Sequence, residues 1–136
     1  MKRLLLLCVV AAGLSAPAPA FAWWKKGYLP ECDASGVMIR VLEQFRYADR
    51  KTFHWGVDIK GFSNTYEVPE VINNTSLIGR RFCRSTAWLT DGRTEEVVYL
   101  IETKQGFSSV TYGVQSCLPA YDPWHVYGSW CRSIKP

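Results

Sequence analysis

RRFCRSTAWLTDGRTEEVVYLIETKQGFSSVTYGVQSCL, residues 80–118, is the stretch whose reading decides the fold. Two polar pairs, Asp91-Gly92 and Gln105-Gly106, divide it into three runs rich in β-branched and aromatic residues. These runs predict strands over 80–90, 94–104 and 107–118, joined as consecutive hairpins. Asp-Gly is among the strongest short hairpin signals, because both residues accept the positive φ of a tight type I′ turn.

Two-residue loops fix the register. Position 90 then faces 93, and 104 faces 107. Arg84, Tyr99 and Tyr112 fall in one rung and Phe82, Ile101 and Val110 in the next, on one face. The other face carries Cys83, Ser85, Ala87, Val98, Leu100, Thr111, Gly113 and Cys117. Its small residues leave room for a helix backbone, so a helix is expected there, while the aromatic face needs cover from the Trp-rich termini. The assignment hangs on the loops, since a one-residue slip exchanges the faces.

Upstream, Val37, Met38, Val41, Leu42 and Phe45 make one face of a helix predicted over 35–48, with Arg40, Glu43, Gln44 and Arg46 on the other. Asp33 and Ser35 offer N-cap oxygens ahead of it. In FHWGVDIK, residues 53–60, Phe53, Trp55, Val57 and Ile59 alternate with polar or small residues, which predicts a half-buried strand. Residues 61–77, with Pro69 and an Asn-Asn-Thr-Ser run, read as mostly loop. Downstream, DPWHVYGSWCRSIKP has no clean period and reads as an irregular strap carrying Trp124, Tyr127 and Trp130. The sum is an α+β domain: one amphipathic helix packed on an antiparallel meander of about four strands.

The amino terminus reads as a secretory signal. Lys2 and Arg3 precede the apolar run Leu4–Leu14, and a Pro/Ala segment ends in Ala20-Phe21-Ala22. That run is about half of the roughly 20 residues a membrane span requires. Cleavage after Ala22 leaves one exported domain, residues 23–136, with a periplasmic or secreted address and no membrane span. It also leaves 14 Lys+Arg against 12 Asp+Glu, halving the formal charge of +4 and weakening any case for nucleic acid as a partner. Of the five cysteines, Cys32, Cys83, Cys117 and Cys131 remain. An even number in an oxidising compartment reads as two disulfides. Cys83 and Cys117 lie on the order of 20 Å apart in the expected register, beyond the roughly 7 Å between Cα atoms that a disulfide spans. Two connectivities remain open: Cys32–Cys83 with Cys117–Cys131, or Cys32–Cys117 with Cys83–Cys131. The short loop closed by Cys117–Cys131 favours the first.

Catalytic signals are sparse. No nucleophile-elbow, zincin, P-loop or dinucleotide motif is present, no C-x-x-C pair suggests a metal, and no cofactor is implied. The two histidines are His54, on a predicted strand, and His125, in the strap beside Asp122. Aromatic residues are in surplus: six Trp, seven Tyr and all but one of six Phe outlast the signal. Some of them must reach the surface, where aromatics and Arg serve as binding anchors. Arg84, Tyr99, Tyr112 and Trp124 are the candidate binding residues, the first three as a cation–π rung. A purely structural stack beneath the strap stays open as the alternative.

T-F-H-W-G (52–56), R-R-F-C-R (80–84) with T-D-G (90–92), and D-P-W-H-V-Y (122–127) with C-R (131–132) resemble a set of small exported proteins, mainly alphaproteobacterial, of uncharacterised function. The resemblance implies export and carries no activity, cofactor or partner with it. The residues themselves favour a non-enzymatic exported binding module acting on an envelope protein or glycan. Two alternatives stand beside it: a small hydrolase using His125 and Asp122, and an inhibitor of a secreted enzyme presenting a loop within 61–77.

Overall fold

Val37, Val41 and Phe45 recur at every fourth position, and they are the residues that helix α1 (Ser35–Ala48) buries. The computed structural model describes residues 29–70, 78–106 and 110–136. The signal-like segment 1–22, the aromatic lead-in as far as Tyr28, residues 71–77 and residues 107–109 lie outside these. The chain enters α1 through Ala34, whose carbonyl accepts from the backbone N–H groups of Val37 and Met38. No side chain caps this end, so the oxygens of Asp33 and Ser35 are not used as expected. Among the described residues no helix is long and apolar enough to cross a membrane.

Past Ala48 the helix loosens into a π-helical turn, Asp49–Phe53, which stops at His54 in left-handed backbone (φ 55°). Residues 53–60 were expected to form a strand, but β1 runs from Ile59 to Val68. Left-handed backbone at His54 and at Gly56 (φ 68°) prevents an earlier start. The inside–outside alternation is nevertheless real: Phe53, Trp55 and Val57 are partly buried, Ile59 is buried, and His54 and Gly56 are exposed. Most of β1 falls in the stretch expected as loop. Its period is broken by register shifts between Ile59 and Gly61 and between Ser63 and Tyr66, with Asn64 left-handed at the second. That bulge turns the Ser63 carbonyl and the Thr65 hydroxyl onto the buried Ser85 hydroxyl, at 3.0 and 2.8 Å.

The remaining strands are β2 (Arg80–Leu89), β3 (Thr94–Glu102) and β4 (Gly113–Cys117). All pair antiparallel in the order β1-β2-β3-β4, the expected meander. The β2–β3 loop differs from expectation by one residue. Only Gly92 has positive φ (88°), whereas a type I′ turn would need Asp91 there too. The Leu89 N–H donates to the Arg93 carbonyl at 2.9 Å, closing a three-residue loop of Thr90, Asp91 and Gly92. Tyr99 therefore faces Cys83, and Arg84 faces Val98. The β3–β4 connection is longer than expected, running from Thr103 to Tyr112. It places Tyr99 opposite Ser116 and Ile101 opposite Val114, four positions from the expected partners, which leaves the faces unchanged. Val110, expected beside Ile101, is exposed in this connection.

One face of the sheet, with Cys83, Ala87, Val97, Tyr99, Ile101 and Val114, packs under α1. Its β2 residues are the small ones expected there, but β3 contributes Val97, Tyr99 and Ile101 in place of Val98 and Leu100. Phe82, Val98, Leu100 and Cys117 lie on the opposite face, covered by Cys131, Ile134 and Tyr127 of the C-terminal strap. Disulfides join Cys32 to Cys83 on the first face and Cys117 to Cys131 on the second, with Cα atoms 5.8 and 6.0 Å apart. The connectivity favoured by the short loop is the one present.

Two substitutions probe this arrangement. Gly92→Ala forces an L-residue into left-handed backbone and should lower stability by about 1 kcal/mol, read from the urea midpoint of the oxidised protein. The Tyr99 hydroxyl is buried and donates to the Cys32 carbonyl at 2.8 Å, so Tyr99→Phe strands that acceptor. Its expected cost in the same assay is about 1–3 kcal/mol.

Candidate functional site

The expected Arg84–Tyr99–Tyr112 rung does not form, because the one-residue change in the β2–β3 loop sends Arg84 and Tyr99 to opposite faces. Tyr99 is fully buried beneath α1, where burial pushes its hydroxyl well above the usual tyrosine range. Tyr112 is half-buried on the same side, with the Arg40 guanidinium 4.5 Å above its ring, and Arg40 Nη1 donates to the Tyr112 carbonyl at 2.7 Å. Arg84 lies on the far side of the sheet and pairs with Glu96 at 3.2 Å. Trp124, the fourth candidate, is exposed at the edge of a cluster to which the other three do not belong.

That cluster is built by segments far apart in sequence. Phe45 comes from the last turn but one of α1, Phe53 from the π-helical turn, Trp55 from the irregular link to β1, and Tyr121 from a short 3₁₀ turn after β4 (Pro119–Tyr121). Phe53 and Trp55 stack with centroids 4.3 Å apart, which the left-handed His54 between them permits. Trp55 stacks in turn on Phe45 at 5.8 Å. Tyr121 meets Phe45 and Trp55 edge to face at 5.5 and 4.9 Å, the geometry favoured by the ring quadrupoles. Trp124 leans on Phe53 at 4.8 Å and leaves most of its indole in water.

Phe45, Phe53, Trp55, Leu118, Tyr121 and Val126 line a cavity of about 210 Å³ between α1, β4 and the strap. Val126 at its rim is 67% exposed and Trp124 beside it 68%. Gln44, Ser116 and Asp122, which border it, are already engaged. Gln44 donates to the Val114 carbonyl at 2.6 Å and accepts from the Ser116 backbone N–H and hydroxyl at 3.0 and 2.6 Å. The Asp122 carboxylate accepts from the backbone N–H groups of Val126 and Tyr127, fixing the turn that carries the rim. At the cavity's back Arg93 donates to the Tyr121 hydroxyl. Burial raises the Tyr121 phenol above its ordinary value, against the opposing pull of Arg93.

Among the described residues, one group offers three potential metal ligands close together: Cys117, Asp122 and Cys131. The two sulfurs are bonded to each other and so provide no thiolate. His125 is exposed in left-handed backbone, and its N–H donates to the Asp122 carbonyl at 3.2 Å. No hydrogen bond joins its imidazole to the Asp122 carboxylate or to a hydroxyl among the described residues. His54 is likewise exposed.

An ion pair braces the cluster. Arg46 grips Asp58 with both Nε and Nη2 at 2.8 Å, so the link carrying Phe53 and Trp55 is pinned at its far end to α1. The Asp58 N–H donates to the Thr90 hydroxyl at 2.9 Å, which ties the link to the β2–β3 loop as well. The Arg46 hydrogen bonds hold the Asp58 carboxyl below the usual carboxylate range. Its folded pKa is thus lower than the roughly 3.9 of the unfolded chain. The stabilisation is present above that value and disappears as pH falls through the folded one. Asp58→Asn should therefore flatten the acid limb of the stability profile below about pH 4, checked by urea midpoints down to pH about 2.

Compared with protein-family models, with curated proteins and with solved structures, the chain matches none.

Proposed function

We propose that this chain is an exported, non-enzymatic binding module whose anchor site is the aromatic cleft between α1, β4 and the C-terminal strap. The observation that carries this reading is an apolar cavity walled by Phe45, Phe53, Trp55 and Tyr121, beside which Trp124 and Val126 stand two-thirds in water. Large apolar side chains held exposed around a concave apolar pocket are what a recognition surface needs and what a purely structural core avoids. The rim is rigid: a disulfide and the Asp122 hydrogen bonds hold it, so little ordering entropy is lost when a ligand enters. With Gln44, Ser116 and Asp122 engaged internally, the cleft favours an apolar or aromatic side chain of an envelope protein. Export is supported by the signal-like amino terminus and by the two disulfides, which persist in oxidising compartments.

The test is capture of a partner from an envelope extract by the oxidised protein, followed by direct titration of the partner recovered. Trp124→Ala and Val126→Asp alter exposed positions and leave the core intact. Each should weaken binding at least about tenfold, or roughly 1.4 kcal/mol. A partner that binds both variants as tightly as the parent would refute the assignment.

A further inference from the structure

The C-terminal strap covers only part of the sheet's second face. Val68, Phe82, Val98, Leu100 and Cys117 lie beneath Tyr127, Cys131 and Ile134. Toward the β2–β3 loop the same face is open. The strand pairing sets Tyr66 beside Arg84, Thr86 between Ser63 and Glu96, and Trp88 beside Thr94. Asn64, Tyr66, Arg84, Thr86, Thr94 and Glu96 line a groove of about 280 Å³ here. Tyr66 and Trp88 are each 53% exposed.

From this face we infer a second binding site, distinct from the aromatic cleft, for a neutral oligosaccharide. Three features lead there. First, the Trp88 indole N–H is already donated to the Ser63 hydroxyl at 2.7 Å. Its polar handle is used up and its orientation fixed, so the part left to a ligand is the ring. An aromatic face attracts the polarised C–H groups on the apolar side of a pyranose. Second, between Trp88 and Tyr66 the surface is hydroxyl, amide and charge, with no aliphatic side chain at its centre. A protein interface wants an apolar centre and a polar rim, whereas this face has polar groups flanked by rings, which suits a ligand with apolar faces and hydroxyl edges.

Third, the charged groups are paired with one another. Arg84 and Lys135 both approach Glu96, at 3.2 and 3.7 Å. Both cations are already engaged by that one carboxylate, so neither is left unpaired to grip an acidic polymer, and the complement is an uncharged one. Length sets the last constraint. Tyr66 sits level with Arg84, and Trp88 lies four residues further along β2, about 13 Å away. That distance exceeds one sugar ring, so the two platforms serve an oligosaccharide rather than a monosaccharide.

The experiment titrates the oxidised protein with maltohexaose, cellohexaose and chitohexaose, following tryptophan fluorescence and calorimetric heat, with polygalacturonate as the acidic comparison. At least one neutral glycan should bind. Trp88→Ala and Tyr66→Ala should each weaken that binding at least about tenfold. Ser63→Ala keeps the ring but frees it, and should produce a smaller loss. Trp124→Ala should leave glycan binding unchanged, which separates this site from the cleft. Either site can thus fail while the other stands. Failure of all three neutral glycans to bind, preference for polygalacturonate, or indifference to Trp88→Ala with the near-ultraviolet dichroism intact would each overturn the inference.

Discussion

The fixing of Cys32 governs most of what lies on the helix side of the sheet. Its sulfur is bonded to Cys83 of β2, and its carbonyl accepts a hydrogen bond from the hydroxyl of the buried Tyr99 of β3. The residue just ahead of α1 is thereby held against the two central strands. Arg81 adds to this by donating to the carbonyl of Pro30 and pairing with Glu31 and Glu67. The start of α1 has no side-chain cap, so tertiary attachment does what local capping does elsewhere. With that end fixed, the spacing of Val37, Val41 and Phe45 lays the helix along the sheet and delivers Phe45 to the far end. Each of these side chains is worth about 1.5–3 kcal/mol when fully buried.

The chain is held in the same way at its other end. Cys117 closes β4 and bonds to Cys131, and between them the backbone turns sharply through His125, Gly128, Trp130 and Cys131, all with positive φ. Left-handed backbone at three non-glycine residues costs free energy. It persists here because the disulfide and the burial of Cys131 and Ile134 set the strap's path. The two bridges thus do separate work on opposite faces. One sets the helix, and the other sets the strap that forms one wall of the cleft and part-covers the second face.

Much of the scaffold was legible because its signals are local. The 35–48 helix follows from a period that one face must bury, and the β2 and β3 runs from residue type and a turn. The face assignment failed at a single point: whether Asp91 or only Gly92 takes positive φ. Asp91 instead accepts from the Arg93 backbone N–H and side chain at 3.0 and 2.7 Å, which the pair Asp-Gly does not announce. β1 was missed because its bulges break the period of two. The cleft was hidden for another reason. Its rings come from residues 45, 53, 55, 121 and 124, brought together by a π-helical turn and a disulfide-bound strap that leave no periodicity to read. The surplus of aromatic residues was the visible trace, and of the candidates it suggested only Trp124 lies at the cleft.

Arg40 and Gln44, on the helix face away from the core, reach over the rim of the sheet to the carbonyls of Tyr112 and Val114 and the N–H of Ser116. These are groups that β4, as the outermost strand, would otherwise offer to a stranger. At the opposite margin the bulges at Gly61 and Asn64 bend β1 out of a straight ladder. Neither border is left as a flat template for another chain to extend. A small β-rich domain whose rings stand in water is a candidate for edge-to-edge aggregation. Here one edge is partly capped by the helix and the other is bulged, so exposed rings are displayed beside edges that make poor templates.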